Sequence, residues 1–409
     1  MFVPLLAALA ASSSPTAACP AGLYRSADAG QQVVITVRPD GTNRYTFVDG
    51  RRGTVGGDGS LLNCTGGTLS GGEAAWQAVD VRSTETAFHS HGTKLGGTLL
   101  EPSGPGPHPL VVFVHGSERT SPTAGSYPLL LVAQGISVFA YDKRGTGKSE
   151  GEYTQNFELL ADDAAAAMAE ARRMTAGRFS RIGYFGGSQG GWIAPLAATR
   201  SPADFVAVGF GLMASPIEED REQVLSEMRE KGFGEPDLSQ AREVTEATSR
   251  LLLSRFASGY EQLAEVKRRH GAKSWFSQIK GEYTGAILAA NEADLRRVGP
   301  AVFDNLELIW DYDSRPAIAR LKVPQLWILA EADREAPPAT TLAALSELRT
   351  KGSDLEVYSF PATDHGMVEF TEASDGTRTY GRITDGYFRL LGDWIKGKAK
   401  GRYGSARKR

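Results

Sequence analysis

The pattern of apolar positions along the chain changes near Val79. Before it, short alternating segments at residues 33–37 and 44–48 flank a Pro-Asp-Gly turn at residues 39–41, which is typical of strands in a small antiparallel sheet. After it, continuous apolar runs alternate with helical stretches. Such alternation indicates a mostly parallel sheet covered by helices on both faces. The pattern therefore predicts an α/β protein with a small β-rich module at its N-terminal side.

The strands of the predicted parallel sheet are continuous apolar runs at Leu110–Val114, Ile136–Tyr141, Ile182–Phe185, Phe205–Phe210, Gln325–Leu329 and Leu355–Phe360. Between them, helices are predicted at Phe157–Met174 and Thr341–Leu348. Doubly wound sheets place their sites at the carboxyl ends of the strands. We therefore expect functional side chains directly after Val114, Phe185, Leu329 and Phe360.

The alternation is interrupted between Ile217 and Ala319, where the chain is charged, helical in composition and poor in strand signals. This interval predicts a helical cap inserted into the sheet domain. Its bulky apolar side chains recur at roughly helical spacing, so we expect them to pack inside the cap rather than to contact a substrate. They are Leu251, Leu252, Leu253, Phe256, Trp275, Phe276, Ile287 and Leu288.

Length and charge narrow the classes of partner. The 409 residues, 41% of them hydrophobic, suffice for one large core and a smaller module. The formal net charge of -3 is spread along the chain, which disfavours nucleic acid or an anionic membrane as a partner and favours small molecules. Only the segment from Lys396 to Arg409 is basic without any acid, and we expect its end to be a solvated, mobile tail.

The start of the chain predicts export. Met1 to Ala18 is apolar and then small and polar, as in a signal peptide, which implies a periplasmic or secreted protein. No other apolar run reaches the roughly 20 residues that a membrane span needs. Cys19 and Cys64 are the only cysteines, and an exported chain is expected to join them in a disulfide worth about 4 kcal/mol. A lipid anchor on Cys19 is the alternative, although Thr16 stands where lipoprotein sites usually carry Leu.

These boundaries divide the chain into six segments: a signal peptide (1–18), a β-rich module (19–78), the first part of the sheet domain (79–216), the cap (217–319), the second part of the sheet domain (320–398) and a basic tail (399–409).

The strongest chemical signal surrounds Ser188. Residues 186–190 read Gly-Gly-Ser-Gln-Gly, a Gly-x-Ser-x-Gly motif between a predicted buried strand and a predicted helix. A serine hydroxyl is a poor nucleophile, but a sharp strand-to-helix turn projects its Oγ into a cleft beside the positive end of the helix. Ser188 is therefore the predicted nucleophile.

This motif resembles the α/β-hydrolase superfamily, and the resemblance extends from about Val79 to Lys396, the cap excepted. Residues 114–117, Val-His-Gly-Ser, resemble the oxyanion loop of the superfamily, and residues 142–149, Asp-Lys-Arg-Gly-Thr-Gly-Lys-Ser, resemble an element that is structural in similar bacterial hydrolases. Within the superfamily the chain looks most like exported bacterial esterases and serine aminopeptidase-like hydrolases. The resemblance implies an α/β-hydrolase fold with nucleophile, acid and base in that chain order.

Ser188, Asp333 and His365 match that order, and both Asp333 and His365 directly follow predicted strands. A buried carboxylate would hold the imidazole in the tautomer that accepts the Ser188 proton. Glu331 is an alternative acid. Asp364 is expected to be a turn residue rather than the partner of His365.

The oxyanion hole is expected to consist of backbone N–H groups, those of Gln189 and Ser117. Residues 147–149, Gly-Lys-Ser, match the end of a phosphate-binding loop, but Asp142 stands where that pattern requires Gly, so no nucleotide site is predicted. Neither a His-x-x-x-His pair nor a cysteine cluster is present, so no metal and no cofactor are predicted.

The predicted function is an acyl hydrolase that forms an acyl-enzyme, with carboxylic esters as first choice. A serine aminopeptidase-like enzyme for small peptides or amides is the alternative. It would need an acid near the pocket for the amine of the substrate, and Glu118 or the acidic run at 218–220 could supply it. A binding protein on a hydrolase fold without catalysis is a third possibility, since fold does not imply function.

Overall fold

A computed structural model describes residues 19–27, 30–71 and 74–409, so the predicted signal peptide lies outside the described residues. The strands are β1 (Gly22–Ser26), β2 (Gln32–Val37), β3 (Asn43–Phe47), β4 (Arg52–Thr54), β5 (Asn63–Thr65), β6 (Thr68–Gly71), β7 (Ala74–Ala78), β8 (Val81–Ser90), β9 (Thr93–Pro102), β10 (His108–Val114), β11 (Ser137–Tyr141), β12 (Phe179–Gly187), β13 (Phe205–Gly209), β14 (Gln325–Ala330), β15 (Leu355–Phe360), β16 (Thr363–Asp364), β17 (Val368–Glu372), β18 (Arg378–Ile383) and β19 (Arg407–Lys408). The helices are α1 (Tyr127–Val132), α2 (Phe157–Thr175), α3 (Gly190–Arg200), α4 (Pro216–Glu230), α5 (Glu235–Leu253), α6 (Tyr260–His270), α7 (Thr284–Ala289), α8 (Glu292–Phe303), α9 (Arg315–Arg320), α10 (Pro338–Thr350) and α11 (Tyr387–Ile395).

The first seven strands form the predicted β-rich module. They make one antiparallel sheet in the order β4-β3-β2-β1-β7-β6-β5. Val33 and Ile35 of β2 and Tyr45 and Phe47 of β3 lie in one hydrophobic cluster, as expected for alternate positions on neighbouring strands. The structure also contains the predicted disulfide, which joins Cys19 to Cys64 on β5 and thereby ties the start of the described chain to this sheet.

The second sheet has nine strands in the order β19-β15-β14-β13-β12-β10-β11-β9-β8. Strands β10 to β15 run parallel to one another, whereas β8, β9 and β19 run antiparallel to the strands they pair with. Helices α2, α3 and α10 contribute to the hydrophobic cluster on one face, and α1 and α11 to the cluster on the other. The predicted parallel sheet with helices on both faces is confirmed.

Helices α4 to α9 follow β13 and precede β14, so they form an insertion in the sheet domain. They have their own hydrophobic cluster, in which Leu251, Leu252, Phe256, Trp275 and Ile287 are buried, as expected. One expectation was wrong. Leu253, the last residue of α5, is 46% exposed because it lies on the side of the final turn opposite the buried Leu251 and Leu252.

A further small sheet, β16-β17-β18, lies between β15 and α11 and was not predicted. It begins directly before His365 and contacts the N-terminal module. The Ile383 N–H donates to the Gly50 carbonyl (3.0 Å), and Arg52 Nε donates to the Gly381 carbonyl (2.8 Å). The module is therefore connected to the segment that carries His365.

The expectation of a mobile basic tail was wrong. Strand β19 pairs with β15, with Ser359 opposite Arg407, and Tyr403 is only 3% exposed. The basic side chains meet acids of the sheet edge: Lys408 pairs with Glu356 (2.7 Å). Arg407 and Arg409 pair in the same way with Glu331. Because these charges at the end of the chain meet carboxylates, the segment folds onto the sheet instead of extending into solvent.

Candidate active site

Ser188 stands at the sharp turn between β12 and α3. Its φ of +51° lies in the left-handed region, which is strained for a residue with a side chain. The turn requires close backbone contacts. A Cβ on Gly186 would lie 2.2 Å from the Gly190 carbonyl oxygen, and a Cβ on Gly190 would lie 2.2 Å from that of Val114. The glycines of the motif therefore permit the turn that presents Ser188.

The structure brings Ser188, His365 and Asp333 together. His365 Nε2 lies 3.1 Å from Ser188 Oγ, and His365 Nδ1 lies 3.0 and 3.2 Å from the two carboxylate oxygens of Asp333. Asp333 is buried, and its Oδ1 also accepts hydrogen bonds from the backbone N–H groups of Glu335 (3.1 Å) and Ala336 (2.7 Å). These bonds fix the carboxylate behind the imidazole.

The environment of His365 favours its protonated form. Burial opposes the positive charge, but the hydrogen bond and charge of Asp333, with the charges of Glu335 and Asp364, raise the pKa of His365 above its usual value. Such an imidazole is well suited to take a proton from a nearby hydroxyl and to hold it while a negative charge develops.

The two other candidate acids lie elsewhere. Asp364 accepts the backbone N–H groups of Arg334 (2.9 Å) and His365 (2.8 Å), so it fixes the turn, as expected. Glu331 accepts a hydrogen bond from Ser359 (2.7 Å) and pairs with Arg407 (3.2 Å) at the sheet edge. Its carboxylate is engaged there and not with His365.

Gln189 and Ser117, whose backbone N–H groups were the predicted oxyanion donors, line the same cavity as Ser188. Gln189 is the first residue after Ser188, at the start of α3, and Ser117 lies in the loop after β10. Within the described part of the chain, neither N–H donates to a protein acceptor. The loop passes close to Ser188, since a Cβ on Gly116 would lie 3.4 Å from Ser188 Cβ. Tyr153 holds the loop by donating to the Ser117 carbonyl (2.5 Å).

The order of the strands in the nine-stranded sheet identifies the fold. Read from β8, the strand order of the sheet is β8-β9-β11-β10-β12-β13-β14-β15-β19, and the turn at Ser188 follows β12, the fifth strand of this domain. The model of the serine aminopeptidase (S33) family matches residues 105–234, which include that turn. The chain has an α/β-hydrolase fold.

No curated protein matches this chain, whereas solved structures resemble it at low sequence identity. An esterase of Pyrococcus furiosus, Pf2001, has a TM-score of 0.43 at 15% identity, over 70% of this chain and 85% of that one. An acylaminoacyl peptidase of Pyrococcus horikoshii has a TM-score of 0.46 at 15% identity, over 89% and 49%. Est1E of Butyrivibrio proteoclasticus, with ferulic acid bound, has a TM-score of 0.41 at 14% identity, over 76% and 96%.

One cavity, about 260 Å³ in volume, lies between Ser188 and the cap. Three carboxyl groups line it, those of Glu219, Glu282 and Glu335. Burial, then the charges of Glu282 and Glu335, raise the pKa of Glu219 well above its usual range, and burial with the charge of Glu335 also raises the pKa of Glu282. Glu335 Oε1 lies 3.5 Å from His365 Nε2. The acids thus extend from the cap to the imidazole.

Only one residue of the predicted acidic run faces this cavity. Glu218 caps helix α4, where its Oε2 accepts the Ser215 N–H (2.9 Å). Asp220 accepts the backbone N–H of Tyr283 (2.9 Å) and has a structural role. Glu219 lies between them and lines the cavity.

The sequence analysis missed Glu282 and Glu335. Glu335 follows Asp333 by two residues, and that proximity to a predicted strand end could have indicated it. Glu282 precedes α7 in the cap, and no local pattern marks it. Glu118, the other predicted acid, lies 3.3 Å from His115 Nδ1 and lines a second cavity.

That second cavity, about 330 Å³ in volume, adjoins Ser188 on the side of α1. Four aromatic side chains line it: Phe113, Tyr127, Phe185 and Phe210. The ring centroids of Phe113 and Phe185 are 5.7 Å apart, and the Phe210 ring lies 5.2 Å from the imidazole of His365. Glu118 and Glu335 also contribute to this second cavity, but its surface is mainly apolar, whereas the surface of the first cavity is mainly polar. The first is called the acidic cavity below, and the second the aromatic cavity.

No described helix combines the length and hydrophobicity that a membrane crossing requires. No group of three or more His, Cys, Asp or Glu side chains in the described ranges is arranged to hold a metal ion.

Proposed function

We propose that the chain is a serine hydrolase that cleaves acyl bonds. The observation that carries the proposal is the hydrogen-bonded chain from Ser188 through His365 to Asp333, beside two backbone N–H groups without a protein acceptor in the described structure. A nucleophile, a base, an orienting carboxylate and donors for a developing oxyanion are the parts that acyl transfer needs.

In the proposed mechanism, Ser188 Oγ attacks the carbonyl carbon while His365 Nε2 takes its proton. Asp333 stabilises the imidazolium, and the N–H groups of Gln189 and Ser117 receive the oxyanion. The tetrahedral intermediate collapses to an acyl-enzyme as His365 protonates the leaving group. Water then attacks the ester of the acyl-enzyme and gives its proton to His365. The carboxylic acid product leaves as that proton returns to Ser188 Oγ.

Carboxylic esters are the first proposed substrates. The aromatic cavity supports them, because Phe113, Tyr127, Phe185 and Phe210 offer an uncharged group of the substrate a place beside Ser188. An apolar acyl or alcohol group bound there gains from burial and needs no charged partner.

The acidic cavity favours a second candidate, an aminopeptidase-like hydrolase of small peptides or amides. Burial and the charges of neighbouring carboxylates disfavour ionisation of Glu219 and Glu282 when no cation is present. A substrate with a free ammonium group would relieve that repulsion and form charge-assisted hydrogen bonds. The cavity lies next to Ser188, so such a group would stand close to the bond that is cleaved.

We also propose that the enzyme is exported to the periplasm or the medium. The Cys19–Cys64 disulfide is compatible with an oxidising compartment. The proposed signal peptide at 1–18 would then be removed before the module folds.

The decisive test compares the wild type with Ser188→Ala on p-nitrophenyl esters of increasing acyl length and on aminoacyl-p-nitroanilides. We expect turnover to fall by a factor on the order of 10⁶, with the fold unchanged, since one oxygen is lost at a cleft. A fluorophosphonate should label the wild type and not the variant. Ser346→Ala, at an exposed position of α10, is the matched control.

If Ser188→Ala retains activity on both substrate classes, the proposal is wrong. If the wild type neither hydrolyses any member of the series nor reacts with the fluorophosphonate, the fold serves binding without catalysis.

A further inference from the structure

The side chain of Lys143 is buried next to the loop that approaches Ser188. It is the second residue after β11 and is only 2% exposed. Its ammonium group donates to the Gly116 carbonyl and lies 3.5 Å from Oε1 of Gln189. Burial of an ammonium group costs free energy unless its hydrogen bonds are satisfied. The two oxygens it meets belong to the loop and the helix start that border the nucleophile.

The Gly116 carbonyl and the Ser117 N–H are parts of one peptide group. A trans peptide is planar, and its C=O and N–H point in opposite directions. A positive charge held at the carbonyl oxygen therefore fixes the direction of the N–H and strengthens it as a donor. The same ammonium group stands beside the side chain of Gln189, whose own N–H begins α3.

We propose that Lys143 is a positioning residue that orients and polarises the Gly116–Ser117 peptide toward the oxyanion of the tetrahedral intermediate. This inference rests on the proposed serine hydrolase function. Lys143 does not touch the substrate in this proposal. It acts through the peptide, so its contribution appears when negative charge develops on the carbonyl oxygen and not when the substrate first binds.

Several charged or polar groups face the ammonium. Glu118, Arg119 and His115 lie on the same loop as Gly116, and the ring of Tyr153 lies 5.3 Å from Nζ. Burial lowers the pKa of Lys143 to about 8; the charge of Glu118 opposes this shift and that of Arg119 adds to it. Lys143 is therefore charged below about pH 8 and neutral above it, and the support of the peptide is lost as the pH rises.

The test is Lys143→Met, which keeps length and removes charge. The matched control is Lys148→Met on the same loop, whose side chain is 65% exposed and pairs with Glu85. We expect kcat of Lys143→Met to fall about 10- to 100-fold with KM nearly unchanged, somewhat less than the loss of an oxyanion donor itself. Affinity for a trifluoromethyl ketone, which forms a tetrahedral adduct, should fall by a similar factor. Lys148→Met should change neither.

The pH profile separates positioning from mere packing. In the wild type kcat should decline as the pH rises through about 8, and this decline should be absent in Lys143→Met. Lys143→Arg, which stays charged, should retain more activity than Lys143→Met and should hold its kcat at higher pH. Lys143→Arg and the pH profile of the wild type test the role of the Lys143 charge even if Lys143→Met does not fold.

An unchanged kcat in folded Lys143→Met would overturn the inference, as would an alkaline decline that persists in Lys143→Arg. If the proposed serine hydrolase function itself is wrong, the experiment gives a different result. In that case the wild type itself shows no Ser188-dependent turnover and no fluorophosphonate labelling, whatever stands at position 143.

Discussion

At the scale of single residues, the contacts of the carboxylates distinguish Asp333 from Glu331. Asp333 faces His365 Nδ1, whereas Glu331 is bound to Ser359 and Arg407. Asp333→Asn should lower kcat by a factor of about 10⁴, because the imidazole loses the partner that fixes its tautomer. Glu331→Gln should leave kcat nearly unchanged. Steady-state kinetics on one ester check both. Activity retained in Asp333→Asn but lost in Glu331→Gln would assign the acid to the other carboxylate.

The raised pKa of His365 predicts the acid side of the pH profile. The imidazole acts as a base only when neutral, so activity should rise with pH through a pKa above the usual value of about 6.5. Glu335→Gln removes one of the charges that raise this pKa and should move the rise to lower pH. The profile of kcat/KM checks the shift, and Glu261→Gln on the distant helix α6 is the control. A shift to higher pH would contradict this account.

Some residues of the site can be predicted from the sequence, and others cannot. Ser188 has a local signature, because the strained turn requires glycines at fixed offsets, and His365 and Asp333 follow from strand ends and from the resemblance in chain order. Glu282 reaches the cavity only through the folding of the cap. Its position depends on tertiary packing, which no spacing in the sequence encodes.

At the scale of elements, helix α4 places Glu219 over the nucleophile. Glu219→Gln should lower kcat/KM for aminoacyl-p-nitroanilides about 10- to 100-fold if their ammonium group binds there, since hydrogen bonds to charged groups are worth about 1.5–3 kcal/mol. Neutral p-nitrophenyl esters should be hydrolysed almost as before. Glu222→Gln on the same helix does not line the cavity and is the control. An equal loss on both substrate classes would argue against recognition of an amine.

At the same scale, buried strands were predicted from the sequence more accurately than exposed ones. Strands β10 and β14 were predicted nearly in full because parallel strands in the middle of a sheet are apolar on both faces. The β8–β9 hairpin was missed since most of β8 is exposed and lacks a clear apolar period. Strand β19 was missed because two residues carry no pattern, and its pairing depends on Glu331 and Glu356 from distant positions.

At the scale of the whole molecule, the disulfide stabilises a module that contacts the segment after His365. Cys64→Ala should lower the free energy of unfolding by about 4 kcal/mol in the chain-entropy model and should lower Tm. Differential scanning calorimetry measures the change. Intact mass of protein from the periplasm or medium, alkylated with and without reduction, tests the bond itself. A diacyl group on Cys19, or two free thiols, would instead support the alternative of a lipid anchor or a reduced protein.

The pairing of β19 with β15 also bears on how the protein behaves at high concentration. An unpaired edge strand offers a row of N–H and C=O groups to any passing chain and so promotes self-association. Arg407 and Lys408 occupy part of that row on β15 and add positive charge to it. The opposite edge, β8, is instead rich in exposed polar side chains such as Arg82 and Glu85. The two ends of one sheet are thus protected against aggregation by different means, one by a strand of the same chain and the other by charge.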